Sequence, residues 1–393
     1  MNRVALIGVT GYGAVHFDHL RRLAEAGRCD FAAAAVVNPD SPEAAAPLAW
    51  LRAHGAAVHG TAETLFAAEA GRLDLVCLPV GIAAHEPLVK AALAAGANVL
   101  VEKPAAGCTA AVDRMIAAER AAAPRRVFVG FQHVCAPEVA TLRGILSSGA
   151  LGAVRRVAVS GVWPRSDDYY ARNGWAGRLA APDGTPVRDS PANNAFAHHL
   201  NLALMFAAPS APDGAADPVA ARGALWRARP EIETFDTCMV RFDTAEGVPI
   251  LLCLSHAAAT AENPRIRVDC ARGTVRWTHD GPWEAVQGVR GAQSYVVASG
   301  VAKPPHAEMF HAVLAATESH AEFAEGAESV APCTLALARH QVRAVERLSE
   351  SIPVSPLSRS AVRLPGGQWS VPGLSEAFAK AFEAGDLVLP EWS

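Results

Sequence analysis

Between residues 3 and 131, short apolar runs suited to strands alternate with alanine-rich stretches suited to helices, and nothing else in the 393-residue sequence restricts the fold as strongly. The runs lie at 3–8, 31–38, 57–59, 74–79, 98–102 and 126–131. Leu75-Val76-Cys77-Leu78 and Val99-Leu100-Val101 are apolar without interruption, as expected of strands covered by helices on both faces. A βαβ series of this kind predicts a parallel sheet in an α/β domain. Gly27, Gly71 and Gly96 mark helix ends where a left-handed cap is expected, and Thr61 and Thr109 are the expected N-caps.

After Gly130 the texture changes. A helical stretch at 137–148 leads to strand-like runs near 153–163, 235–243, 248–256, 266–270 and 273–277. Turn signals such as Ala245-Glu246-Gly247 and Arg272-Gly273 separate them, which predicts a mainly antiparallel sheet in an α+β domain. Long loops at 164–193 and 208–222 carry Pro, Gly, Asp and Ser, and loops of that length are usually functional or mobile. The expected organisation is a cofactor domain at 1–131, a substrate domain at 132–355 and a wrapping tail at 356–393 with one short helix, 374–384.

Bulk properties narrow the partners. With 51 % hydrophobic and 19 % charged residues the chain reads as globular, and a net charge of -4 without a dense basic cluster argues against nucleic acid or an anionic membrane. A small-molecule ligand is expected. The eight cysteines are scattered, with neither zinc-site spacing nor the density of a disulfide scaffold, so no metal and a reducing cytoplasm are expected. The sequence runs straight into Val4-Ala5-Leu6-Ile7, and no apolar segment approaches a membrane span, so neither secretion nor insertion is expected.

The first strand is followed by Gly8-Val9-Thr10-Gly11-Tyr12-Gly13. Glycines there let the backbone turn sharply and let a pyrophosphate approach a helix N-terminus, where unpaired N–H groups favour an anion. The usual Gly-x-Gly-x-x-Gly spacing would need glycine at position 10; Gly11 can take over the close approach while the Thr10 hydroxyl donates to a phosphate. A Walker loop is excluded because no Lys-Ser/Thr pair follows Gly13. At the end of the second strand Asn38 is neither the acid that binds the 2′-hydroxyl of NAD nor a cation for NADP. Asp40 can serve if the turn is one residue longer, and no arginine follows nearby, so NAD is favoured over NADP.

Glu102-Lys103-Pro104 ends the run Asn98-Val99-Leu100-Val101 and sets an ammonium at the mouth of a strand. The chain has four lysines against 31 arginines, so a lysine kept here suggests a compact donor of tunable pKa. The stretch Leu73-Asp74-Leu75-Val76-Cys77-Leu78-Pro79, then His85, then Ala95 to Pro104 resembles the glucose-fructose oxidoreductase / inositol dehydrogenase (Gfo/Idh/MocA) family. The resemblance implies an NAD(P)-binding Rossmann domain followed by an α+β domain whose open, mainly antiparallel sheet forms a homodimer or homotetramer. It further implies that Pro79 and Gln132 border the nicotinamide, that Leu78 and His85 belong to the cofactor site, that Glu102 binds the cofactor's amide or ribose, and that Lys103 reaches both ribose and substrate hydroxyl.

In the second domain Asn193 to Asn201 has helical spacing, with Asn194, His198 and Asn201 expected on one face. The stretch resembles the family's Asp-x-Gly-x-His-x-x-Asp, which places His198 on the catalytic histidine and leaves asparagine at both aspartate positions. Phe196 stands at the glycine position and is expected to narrow the pocket. Hydride transfer from a secondary alcohol needs a base for the proton and a donor for the developing alkoxide, roles suited to His198 and Lys103 from opposite domains. A positioned base is typically worth about a hundred- to ten-thousand-fold, and an oxyanion donor on the order of 3 kcal/mol. Asn194 is expected to orient the His198 ring without adding charge. His199, His16 and His19 read as structural.

Finally, Trp163 to Gly177 has the composition of a carbohydrate surface, with Arg165, Tyr169, Arg172, Asn173 and Trp175 expected to line the pocket. The leading expectation is an NAD(P)-dependent oxidoreductase acting on a secondary hydroxyl of a sugar, polyol or sugar derivative. Three other readings stay open: an NAD-assisted glycoside hydrolase or lyase, a non-catalytic cofactor-binding sensor, and a semialdehyde-type dehydrogenase with Cys135 as nucleophile.

Overall fold

The computed structural model describes residues 1–288, 294–318, 331–357 and 360–392. The chain forms two compact units, one of residues 1–135 with 305–335 and one of residues 136–304 with 336–393.

The first unit is built on β1 (Arg3–Ile7), β2 (Asp30–Ala35), β3 (Ala57–His59), β4 (Leu75–Leu78), β5 (Asn98–Val101) and β6 (Val127–Val129). All pair in parallel in the order β3-β2-β1-β4-β5-β6. The order reverses between β1 and β4, and in such sheets ligands bind in the crevice beyond the strands' C-terminal ends at that switch point. Helices Gly13–Glu25, Pro42–Ala53, Ala62–Glu69, His85–Ala94 and Thr109–Ala121 connect the strands. Gly27, Gly71 and Gly96 have φ of 67°, 69° and 84°, the left-handed geometry expected. Thr61 caps its helix by accepting from the Thr64 N–H, whereas Thr109 is already helical and Cys108 occupies the cap position without a side-chain bond.

Helix His306–Glu318 belongs to this unit, not to the second domain where the sequence placed it. Its Met309, Phe310, Val313 and Leu314 share one core with Leu6, Phe17, Leu20, Phe31, Leu100 and Phe128. Burying each such side chain contributes roughly 1.5–3 kcal/mol, which explains why a segment so remote in sequence docks here.

The second unit carries β7 (Val154–Val162), β8 (Pro218–Arg227), β9 (Thr237–Thr244), β10 (Ile250–Ser255), β11 (Glu262–Cys270), β12 (Gly273–Thr278), β13 (Pro282–Gln287), β14 (Tyr295–Val301) and β15 (Val354–Pro356). They form one sheet in the order β14-β13-β12-β11-β7-β10-β9-β8-β15, antiparallel except at β7–β10 and β8–β15. Helix Ala197–Ala207 packs on β7, β10 and β11, and helix Leu374–Ala384 also packs on β7 and β10. Every residue of β10 is buried. The tail adds a hairpin of β16 (Val362–Leu364) and β17 (Gln368–Ser370). β8 occupies part of the expected 208–222 loop, and β13 and β14 were not anticipated because β14 buries none of its side chains. Among the described residues no helix is long and apolar enough to cross a membrane.

Candidate functional site

In the first unit the glycine loop closes tightly on the start of helix Gly13–Glu25. The Gly8 N–H donates to Ala35 O at 2.9 Å, and the Gly13 N–H to Thr10 O at 3.0 Å. A Cβ on Gly13 would lie 2.4 Å from the Gly8 carbonyl oxygen and 3.7 Å from the Pro79 ring, so only glycine permits the turn and Pro79 flanks it. Tyr12 is the N-cap residue and makes no side-chain cap bond, and the first turn holds no acidic residue. No side chain therefore covers the helix's positive end, where the Gly13, Ala14 and Val15 N–H groups donate to the Thr10, Gly11 and Tyr12 carbonyls at 3.0, 3.2 and 3.1 Å, and the helix dipole there favours an anion. Asn38 and Asp40 are both exposed beyond β2.

Beneath this loop lies a buried pair that the sequence did not disclose. His16 Nε2 sits 2.8 Å from Glu102 Oε1, and the two residues are 1 % and 5 % exposed. Burial pushes the Glu102 carboxyl up, but the His16 bond and charge, the Lys103 charge and the Lys103 backbone N–H together hold it below the ordinary value. Glu102 is thus an ionised acceptor, and His16 Nε2 donates to it. Lys103 is half-buried directly after it, joined to Pro104 by a cis bond. Tyr12 stands over His16 edge-on, and its hydroxyl is 3.4 Å from His306 Nε2.

Of the residues expected at the cofactor, Leu78 is fully buried in β4 and accepts from the Glu102 N–H through its carbonyl. Gln132 is buried in the 3-10 turn Gln132–Cys135. His85 does not face open space: its Nδ1 lies 3.0 Å from Pro104 O and its Nε2 3.1 Å from Val80 O. That corrects its expected role, since the ring ties the loop after β4 to the loop after β5 and has no atom left for a ligand. Cys135 is buried, and burial pushes its thiol up to about 12, which removes it as a nucleophile.

In the second unit the expected helical face is only partly present. Residues 191–196 form turns, and the helix starts at Ala197. Asn193 Nδ2 donates to Val187 O at 2.7 Å and Asn194 Nδ2 to Asp189 Oδ1 at 2.9 Å, which holds this segment against the preceding loop. Asn194 is therefore off the helix, while His198 and Asn201 lie buried on it. Asp189 is buried and also accepts from the Gly177 N–H at 2.7 Å. Its signal in the sequence was an acid five residues ahead of the asparagine.

Phe196 does not narrow a pocket. It is 0 % exposed, stacked on Trp163 at 4.8 Å and on His256 at 5.4 Å. A Cβ on Gly161 would meet its ring at 2.8 Å, so β7 gives up a side chain to accommodate the phenyl group.

The loop after β7 brings most of the expected sugar-facing residues together. Arg172 lies 3.7 Å and Arg165 4.8 Å from the Tyr169 ring centroid, and Arg172 also lies 5.2 Å from that of Trp175. Asn173 is the exception, because its side-chain oxygen accepts from the Trp175 and Ala176 N–H groups and is spent on the turn. Burial, then the Asp189 charge, push the Tyr169 hydroxyl up to about 12 against the two arginines. His256, missed in the sequence, ends β10 behind this group. Its Nδ1 donates to Trp163 O at 2.8 Å, and burial together with Arg165 pushes it down to about 3, so it is neutral. Asp167 anchors the loop to the tail: it pairs with Arg229 and, at 2.6 Å, with Arg363, while Arg229 donates to Gly367 O at 2.8 Å.

Residues 3–131 match the family model for an oxidoreductase family with an NAD-binding Rossmann fold, and residues 139–276 match the GFO/IDH/MocA C-terminal domain. The chain is 36 % identical over 152 residues to inositol 2-dehydrogenase 4 of Saccharopolyspora erythraea, a match covering 38 % of this chain and 43 % of that protein. It thus spans less than half the length of this curated relative. Among solved structures it resembles the WlbA dehydrogenase of Bordetella pertussis in complex with NADH and UDP-GlcNAcA, with a TM-score of 0.66, 19 % identity and coverage of 89 % of this chain and 96 % of that one. It also resembles a super-repressor mutant of Gal80p from Saccharomyces cerevisiae, with a TM-score of 0.67, 13 % identity and coverage of 89 % and 95 %. Likeness at these identities shows the fold alone. With both of its halves matched, the chain belongs to the Gfo/Idh/MocA family of oxidoreductases.

Proposed function

We propose that the chain is an NAD-dependent dehydrogenase that oxidises a secondary hydroxyl of a sugar, polyol or sugar derivative. The observation that carries this is the helix N-terminus, covered by no side chain, behind Gly8, Thr10, Gly11, Tyr12 and Gly13, at the switch point of a parallel sheet whose β5 leads into ionised Glu102 and Lys103. The glycine loop fits a pyrophosphate, since a side chain at Gly13 would fill the cradle. Bound NAD would supply the hydride acceptor. Asn38 would meet the adenosine ribose, Leu78, Pro79 and Gln132 would shape the nicotinamide end, and Glu102 would hold the ribose.

In this reading Lys103 donates to the substrate oxygen as it develops negative charge, and His198 accepts the hydroxyl proton. Asn194 acts on that site through Asp189 rather than by touching the substrate. Arg165, Tyr169, Arg172 and Trp175 receive the sugar. The first unit serves as the cofactor domain and the second as the substrate domain, in a cytoplasmic homodimer or homotetramer joined through the nine-stranded sheet. A steady-state assay with NAD and a panel of polyols including myo-inositol tests the proposal. Net NADH formation supports it. Glycosidic cleavage without net NADH would support the hydrolase reading, and NAD binding with neither reaction would leave a sensor, a reading favoured only by Asn194 and Asn201 standing where the family has aspartates.

A further inference from the structure

We infer that the loop after β7 reads a carboxylate on the substrate, with Arg165 as the charged contact and Arg172 beside it. The inference deepens the sugar-directed reading above and relies on it for where the substrate sits.

Aromatic faces and uncharged hydrogen-bonding groups suffice for a neutral sugar; here two guanidinium groups lie against one tyrosine ring. Their charges are unequally compensated. Arg172 lies 3.6 Å from the Asp189 carboxylate. Arg165 forms no ion pair among the described residues, and its Nε is buried without a hydrogen-bond partner. The acid nearest in sequence offers no relief, because Asp167 is committed to Arg229 and Arg363.

His256 adds no charge. With its Nδ1 proton given to Trp163 O it stays neutral, and its Nε2 is a buried acceptor without a partner among the described residues. The local balance is therefore one uncompensated positive charge, which matches a monoanionic carboxylate rather than a phosphate dianion. A guanidinium fork accepts a carboxylate through two parallel N–H bonds, and such charge-assisted bonds are the stronger kind. Next to Arg165 lies an open cavity of about 300 Å³, lined by Trp163, Pro164, Arg165 and Ala261. Its tryptophan wall suits the C–H face of a pyranose ring, so the ligand class is a sugar acid.

The test is calorimetric titration of the full chain, with and without NAD, using D-glucuronate, D-galacturonate, D-glucose, D-galactose and D-glucose 6-phosphate. Wild type is expected to bind a hexuronate in preference to its neutral hexose. Arg165→Gln is expected to reduce that preference by on the order of tenfold to a hundredfold, and Arg165→Lys to restore part of it. The preference is a ratio, so a merely destabilised loop, which weakens acid and neutral sugar alike, would not reproduce this result. Equal binding of hexuronate and hexose by wild type, or an unchanged preference in Arg165→Gln, would overturn the inference, and so would tighter binding of the phosphate ester. NADH formation is read separately: Arg165-dependent uronate binding without NADH leaves this inference standing and removes the dehydrogenase reading.

Discussion

Replacing His16 by phenylalanine should reverse how Glu102 couples stability to pH. The phenyl group keeps the ring volume against Phe310, whose centroid is 5.1 Å away, and deletes the bond to Glu102 Oε1. In the wild type the Glu102 carboxyl is held below its ordinary value, so it contributes stability above the unfolded value of about 4.3. That contribution is lost as the pH falls through the depressed folded value. Without His16, burial is the largest influence left, opposed only by the Lys103 charge and backbone N–H. The folded value should then rise above the unfolded one, and the contribution is lost as the pH climbs through it. Breaking a buried pair by removing one partner costs about 3–5 kcal/mol, and for a unit of this size each kcal/mol moves Tm by roughly 2–4 °C. At pH 7 the variant should melt about 6–20 °C lower by the same relation. The gap should narrow as the pH falls toward and below about 4, where the variant's carboxyl is protonated first and the wild-type carboxyl follows at its depressed value. Thermal denaturation across that range measures it. A gap that is constant with pH, or widest at the acid end, would refute the assignment of Glu102 as a buried anion held by His16.

Further outcomes follow from the second unit and from the catalytic proposal. Gly161→Ala should destabilise by about 1–3 kcal/mol through contact with Phe196, and adding Phe196→Leu should recover part of it in a denaturant double-mutant cycle. Asn194→Asp places a second carboxyl against Asp189, so its folded pKa is raised and stability should fall as the pH rises from about 4 to 7; a melting series in which the variant gains stability toward neutral pH would contradict this. Lys103→Ala and His198→Ala should each abolish NADH formation while leaving Tm within a few degrees, and Lys103→Arg should not rescue; near-normal rates in both alanine variants would remove the proposed roles.

The first sheet was legible because strands buried on both faces leave uninterrupted apolar runs, and its glycines sit where helices end. The His16–Glu102 pair was not, since its partners are 86 residues apart and each alone reads as an ordinary polar side chain. Residues 193–196 carry a helical polar pattern, yet Asn193 and Asn194 find acceptors in Val187 O and Asp189, and those local bonds outcompete another helical turn. Phe196 was misread for a similar reason: its place depends on a missing side chain at Gly161, on another element. The docking of 306–318 had no sequence signal beyond amphipathicity, because which core an apolar stripe joins is decided by long-range fit.

Asp167 ties the loop after β7 to the β16–β17 hairpin. Through Arg363 and the Arg229–Gly367 link, the β16–β17 hairpin works as a guy-line on the segment bearing Tyr169 and Arg172. Proteolytic nicking near residue 365, or a bulky fusion at the C-terminus that strains the hairpin, should therefore blunt substrate selectivity well before it unfolds the sheet.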